Sequence, residues 1–285
     1  MIFNSINNDY GSYDKIIKFY HQHKNDFFTN INLSIYGWFG ANMASPLGAI
    51  LELFSDNINT IVFDELSYSI ETILKKNRFL SYYGREQIAD VNHTTISFQK
   101  LSPKDGKYFK KYVYEELLNR EELPIMSEHV RDKIAEGIYE IFVNAQIHSE
   151  TENIFTCGQF FPNKNKIEFT ITDIGIGFRE RIKRRFCTEI SSGKAIQWAV
   201  RDRNTTKLDK SGGIGLDYLK TFIDNNNGKL QIISYDGFYQ FSGGEEIIEN
   251  FELSFPGTVV NVEFRTDDNK LYEDDHIIDL NTIFD

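Results

Sequence analysis

The stretch Glu140-Ile141-Phe142-Val143-Asn144-Ala145-Gln146-Ile147-His148 sets three polar, chemically capable side chains into a segment that otherwise reads as buried helix. Glu140, Asn144 and His148 are spaced by four residues, so they stack along one helical face. Ile138, Ile141, Phe142 and Ala145 supply the packing face. A carboxylate, an amide and an imidazole on one stripe suit a metal–phosphate site. Taken alone, the same stripe also fits the wet face of an ordinary helix.

Composition sets the surroundings. A chain of 285 residues suits one large domain or two ordinary ones, and 41% apolar residues are enough to fill their cores. With 24 Phe and 15 Tyr, extensive disorder is not expected. A net charge of −11 disfavours non-specific nucleic-acid binding, which needs cations to displace phosphate counterions. Cys157 and Cys187 are the two cysteines; they stand far apart and near no histidine pair, against a zinc site or a disulfide scaffold. The N-terminus has no basic and then apolar leader, and no run approaches the ~20 apolar residues of a membrane helix. The expected location is the cytoplasm, with no membrane contact.

Upstream of the helix, strand and helix patterns alternate. Residues 12–28 predict a helix, 32–38 a strand, and Ser45-Pro46 the start of a second helix. Residues 60–63, 67–77 and 94–99 predict strand, helix and strand. This alternation indicates a small α/β domain over residues 1–107. Its pattern, over residues 32–80, loosely resembles STAS-like modules, and carries no motif of its own. A break at Glu121-Glu122-Leu123-Pro124 precedes a long helix over 127–149.

Downstream, two strands (154–161 and 166–173) are joined by the turn Pro162-Asn163-Lys164-Asn165. The second runs straight into Asp173-Ile174-Gly175-Ile176-Gly177-Phe178. A strand-end aspartate can accept a hydrogen bond from an exocyclic amine, and the glycines allow close backbone approach; a plain Asp-Gly turn is the alternative. Residues 179–210 concentrate cations, including Arg179, Arg181, Lys183, Lys194 and Lys207, in an otherwise acidic chain. Ser211-Gly212-Gly213-Ile214-Gly215-Leu216 then opens a helix, leaving backbone N–H groups free for an anion. It is neither a P-loop nor a dinucleotide fingerprint, since no Gly-Lys-Ser/Thr follows and no strand directly precedes it. Strands at 229–234 and 258–264 flank an aromatic, acidic excursion at 235–255. Residues 267–285 form an acidic tail.

Taken together and in order, these motifs resemble the GHKL superfamily of ATP-binding domains. That group includes gyrase B subunits, ninety-kilodalton heat-shock chaperones, histidine kinases and mismatch-repair ATPases. The likeness covers residues 108–266. It implies an α+β class with a Bergerat-type two-layer α/β sandwich on a mixed sheet, preceded by the small α/β domain. The cofactors implied are ATP and Mg²⁺. By this resemblance Asn144 ligates Mg²⁺, Glu140 is the catalytic base that orients or deprotonates water, and His148 lies near the phosphates. Asp173 accepts the adenine amino proton, with Thr258 supporting it. Gly175 and Gly177 hinge an ATP lid, Thr206 and Lys207 resemble a lid element that meets the γ-phosphate, and Gly212, Gly213, Gly215 and Leu216 cradle phosphate.

The chain also departs from the pattern. Ser211 replaces the first glycine of the usual kinase box, no phosphoacceptor histidine box precedes the domain, and no gyrase-type transducer follows it. The expectation is therefore a slow Mg-dependent ATPase whose lid closure switches contact with a regulatory protein, with room for a homodimer. The alternatives are a protein serine/threonine kinase of the anti-sigma-factor type and a non-catalytic nucleotide-sensing scaffold.

Overall fold

β-branched and aromatic residues fill Ile154–Phe161 (β5) and Lys166–Asp173 (β6), and these strands form the centre of a five-stranded sheet. In the computed structural model, residues 1–148, 151–201, 214–273 and 276–279 are described. Asn165 closes the β5–β6 turn in the left-handed region at φ 47°. The full order is β4-β5-β6-β8-β7, with β4 at Thr95–Leu101, β7 at Lys229–Ser242 and β8 at Glu245–Arg265. Every neighbouring pair is antiparallel, so the expected mixed sheet is corrected to an antiparallel one. The reason is the β7–β8 hairpin: β8 folds back between β7 and β6, so no two parallel strands adjoin. Residues 235–255, expected as an excursion, extend this hairpin, whose turn uses Gly243 and Gly244 at positive φ.

A second, parallel sheet is ordered β1-β2-β3, from Ile2–Ile6 (β1), Asn30–Phe39 (β2) and Thr60–Leu66 (β3). Its helices are Tyr10–His23 (α1), Ala44–Asp56 (α2) and Tyr68–Lys76 (α3). The sequence reading missed β1. It also placed strand 94–99 with this N-terminal unit, whereas β4 hydrogen-bonds to β5 in the other sheet.

The five-stranded sheet is covered on both faces. On one lie Gly106–Val113 (α4), Glu128–His148 (α5) and Ile214–Asn225 (α8). Ile138, Ile141 and Phe142 of α5 join Leu219 and Ile223 of α8 over Phe169, Ile171 and Val260. On the other face Ile16, Ile17, Leu47, Ile50 and Phe54 of α1 and α2 meet Phe155, Cys157, Ile233 and Val259. Two apolar faces are thus removed from water, worth roughly 25 cal/mol per Å² buried. The threonines of β6, which alternation alone would leave wet, are buried against α2. There Ser45 Oγ lies 2.8 Å from Thr172 Oγ1, and Thr170 donates to Asn261 at 2.6 Å.

Gly177–Phe186 (α6) and Ser192–Ala199 (α7) follow β6. Lys270–Glu273 (β9) pairs with His276–Asp279 (β10), so part of the acidic tail is structured. Tyr272 lies buried beside Phe222, ring centroids 4.7 Å apart, and its carbonyl accepts from the N–H of Ser127 ahead of α5. Among the described residues no helix is long and apolar enough to cross a membrane.

Candidate functional site

Strand pairing brings the distant motifs to one place. Asp173 ends β6 directly opposite Thr258 on β8, and Thr258 is opposite Ser234 on β7. The hydroxyls of Thr258 and Ser234 are 3.2 Å apart, and Ser234 Oγ accepts from the Phe178 N–H at 3.0 Å. This row ties the sheet to the turn that enters α6. Gly257 lets the turn pass: a Cβ there would stand 2.0 Å from the Asp173 carbonyl oxygen. Gly177 has φ +70°, and a Cβ on it would meet Ser234 Oγ at 2.7 Å.

Above this row lies a narrow crevice with about 20 Å³ of room. Asn144, Ile141, Leu216, Phe178 and Arg181 line it together with Asp173 and Thr258. A water needs about 10–15 Å³, so the crevice has room for one water and must widen for a nucleobase. Asp173 is buried, and its Oδ1 has no hydrogen-bond partner among the described residues. Burial pushes its carboxyl up to about 7, with the Arg181 guanidinium pulling the other way. Burial also pulls Arg181 down from its ordinary value, partly offset by Asp173. The Arg181 guanidinium sits 4.8 Å over the Phe178 ring.

Comparison with protein-family models finds no match for this chain, and comparison with curated proteins finds none.

Farther along the same helices, the N–H groups of Gly215 and Leu216 donate to Glu140 Oε2 at 3.1 and 3.3 Å. Glu140 thus caps the start of α8, where backbone donors and the helix dipole favour an anion. The two helices touch closely, since a Cβ on Gly137 would stand 2.4 Å from the Gly215 carbonyl oxygen.

Asn144, Asp173, Thr258 and Leu216 are therefore brought to one crevice, with Glu140 and Gly215 beside it. Gly175 is elsewhere: it lines a larger cleft of about 590 Å³ behind the turn, with Tyr20, Lys24, Arg179 and Tyr235. His148 is the last residue of α5, and its side chain lies outside the described part. Thr206, Lys207, Gly212 and Gly213 also lie outside the described residues.

The sequence reading missed Ser234 and the inward course of Arg181. Ser234 belongs to no motif, and only the β7–β8 register reveals it. Gly257 directly precedes the candidate recognition Thr258, and a glycine at that place allows the close approach seen here. Arg181 stands in the sequence as one cation of the 179–210 segment, with nothing local to mark it as buried.

The residues present suit a nucleotide in their chemistry. A buried carboxylate oxygen without a partner among the described residues calls for a donor, and an amide oxygen such as that of Asn144 is a hard ligand suited to Mg²⁺. The N–H groups at the start of α8 suit phosphate, and at present they hold a carboxylate.

Proposed function

We propose that the chain binds ATP with Mg²⁺ in this crevice and hydrolyses it slowly, using closure of the segment after Gly177 to change what a regulatory protein partner meets. The observation that carries the reading is the buried Asp173 carboxylate oxygen, which has no partner among the described residues, joined in one crevice by Asn144 and Thr258 from distant segments. The resemblance of the motifs to GHKL domains supports the same assignment.

Asp173 would accept from the adenine amine, and Thr258 and Ser234 would hold the turn that carries Asp173. Asn144 would hold Mg²⁺ through its side-chain oxygen; the ion, when bound, neutralises charge building on the phosphates. Gly215 and Leu216 would offer their N–H groups to phosphate once Glu140 lets go of them. Glu140, released, would stand within reach of a water and orient or deprotonate it. Positioning and charge neutralisation account for most of the rate in such transfers.

Calorimetric titration with Mg-ATP tests this. The wild-type chain should bind, and Asp173→Ala should bind at least tenfold more weakly while keeping its circular dichroism. Equal affinity in a folded variant would remove Asp173 from the site.

A further inference from the structure

Arg181 lies one helical turn into α6, where a surface arginine would be expected, yet it is only 7% exposed. It lines the same crevice as Asp173, itself 6% exposed. Arg181 Nε and Asp173 Oδ1 both lack hydrogen-bond partners among the described residues. Buried opposite charges normally satisfy each other through shared hydrogen bonds, because an unmet charged group in a dry site is costly. Here one donor and one acceptor are left open in the same crevice, otherwise lined mainly by apolar side chains such as Ile141, Phe178 and Leu216.

We infer that Arg181 is a second base-reading residue, donating its Nε–H to a ring nitrogen of adenine beside the amine that Asp173 accepts from. The inference rests on the adenine reading of Asp173 and adds to it the partner that completes the edge. An adenine edge presents an amine donor flanked by ring-nitrogen acceptors, which matches one open acceptor and one open donor in the same crevice. Ligands lacking either group leave a buried charge unmet, and such sites discriminate strongly. The crevice must widen to admit a ring. The Gly177 turn at φ +70° is where α6, carrying Phe178 and Arg181 together, can shift outward. The competing account makes Arg181 a plug that merely fills the crevice in the absence of ligand.

The test is calorimetry with Mg-ATP and with two ATP analogues in which ring nitrogen N1 or N7 is replaced by C–H, on wild-type protein and on Arg181→Leu. The wild type should bind one of the analogues about ten- to a hundredfold more weakly than ATP. Arg181→Leu should bind ATP with a similar loss and no longer distinguish that analogue from ATP. Equal wild-type affinity for ATP and both analogues overturns the inference, and because it uses unaltered protein it decides the matter even where the leucine variant does not fold. Tighter ATP binding by Arg181→Leu also overturns it, in favour of the plug. Absence of any ATP binding by the wild type overturns the adenine reading itself, and the role of Arg181 with it.

Discussion

At one end of the candidate site, Asp173 and Arg181 are buried in the crevice with atoms that no described group satisfies; at the other, beside the crevice, Glu140 is held by two backbone N–H groups at the start of α8. Both ends place charge where apolar helices meet a sheet, but only the second has met its needs internally. The Asp173 end therefore has open groups to offer a ligand once the crevice widens to admit it. The Glu140 end must first give up an anion of its own, so a phosphate there competes with a resident carboxylate. A ligand spanning the two ends gains its binding at the first and spends part of it at the second.

The strain of the Asp173 end has a pH signature. The carboxyl is raised from the ordinary value of 3.8 to about 7 by burial. A raised carboxyl favours the folded state at low pH, and that advantage is lost as pH rises from the unfolded value through about 7. Asp173→Asn removes the titration. Relative to wild type, this variant should gain about 2–3 kcal/mol of unfolding free energy between pH 5 and pH 8. Urea unfolding at the two pH values measures it. A difference that does not change with pH would mean that Asp173 is satisfied after all, and the contrast between the two ends would vanish.

The Glu140 end depends on how closely α5 and α8 approach. A methyl on Gly137 would stand 2.4 Å from the Gly215 carbonyl oxygen and 2.8 Å from Leu219 Cβ. Gly137→Ala should cost about 1–3 kcal/mol through overpacking, even though alanine favours a helix interior by about 1 kcal/mol over glycine. By forcing α8 away it should also loosen the hydrogen bonds to Glu140. A variant as stable as wild type in thermal unfolding would show that the helices have slack and that Glu140 is not gripped.

The two ends were not equally legible in the sequence. Spacing by four along α5 and the glycines ahead of α8 are local signals, and both elements formed as their periodicity required. The β5–β6 turn was legible for the same reason, since Asn165 tolerates the left-handed region. The row Asp173–Thr258–Ser234 was half visible: Asp173 and Thr258 stood out by motif, while Ser234 depends on a long-range register that no local pattern encodes. Arg181 was least legible. A cation in a cation-rich helix reads as solvated, and only tertiary packing turns it inward. The burial of Thr170 and Thr172 beneath α2 follows the same logic, because Asn42 and Ser45, which bond them, lie far upstream.

The smallest expected effect separates what Glu140 does in the empty site from what it does to a ligand. Glu140→Gln keeps an oxygen to accept from Gly215 and Leu216 but removes the negative charge. The helix-dipole attraction lost is worth about 0.3–1 kcal/mol, so the folded state should weaken only slightly. With that charge gone, phosphate no longer competes with a resident anion, and Mg-ATP should bind a few-fold more tightly while adenosine binds as before. Phosphate release should fall sharply, because an amide cannot take a proton from water. Calorimetry with the two ligands and a phosphate-release assay resolve these roles. If Mg-ATP instead binds the glutamine variant more weakly than wild type while adenosine is unchanged, Glu140 helps to hold the metal–phosphate group. Its bond to α8 would then be a resting position and not a competitor, and the two ends would resemble each other more than their hydrogen bonds suggest.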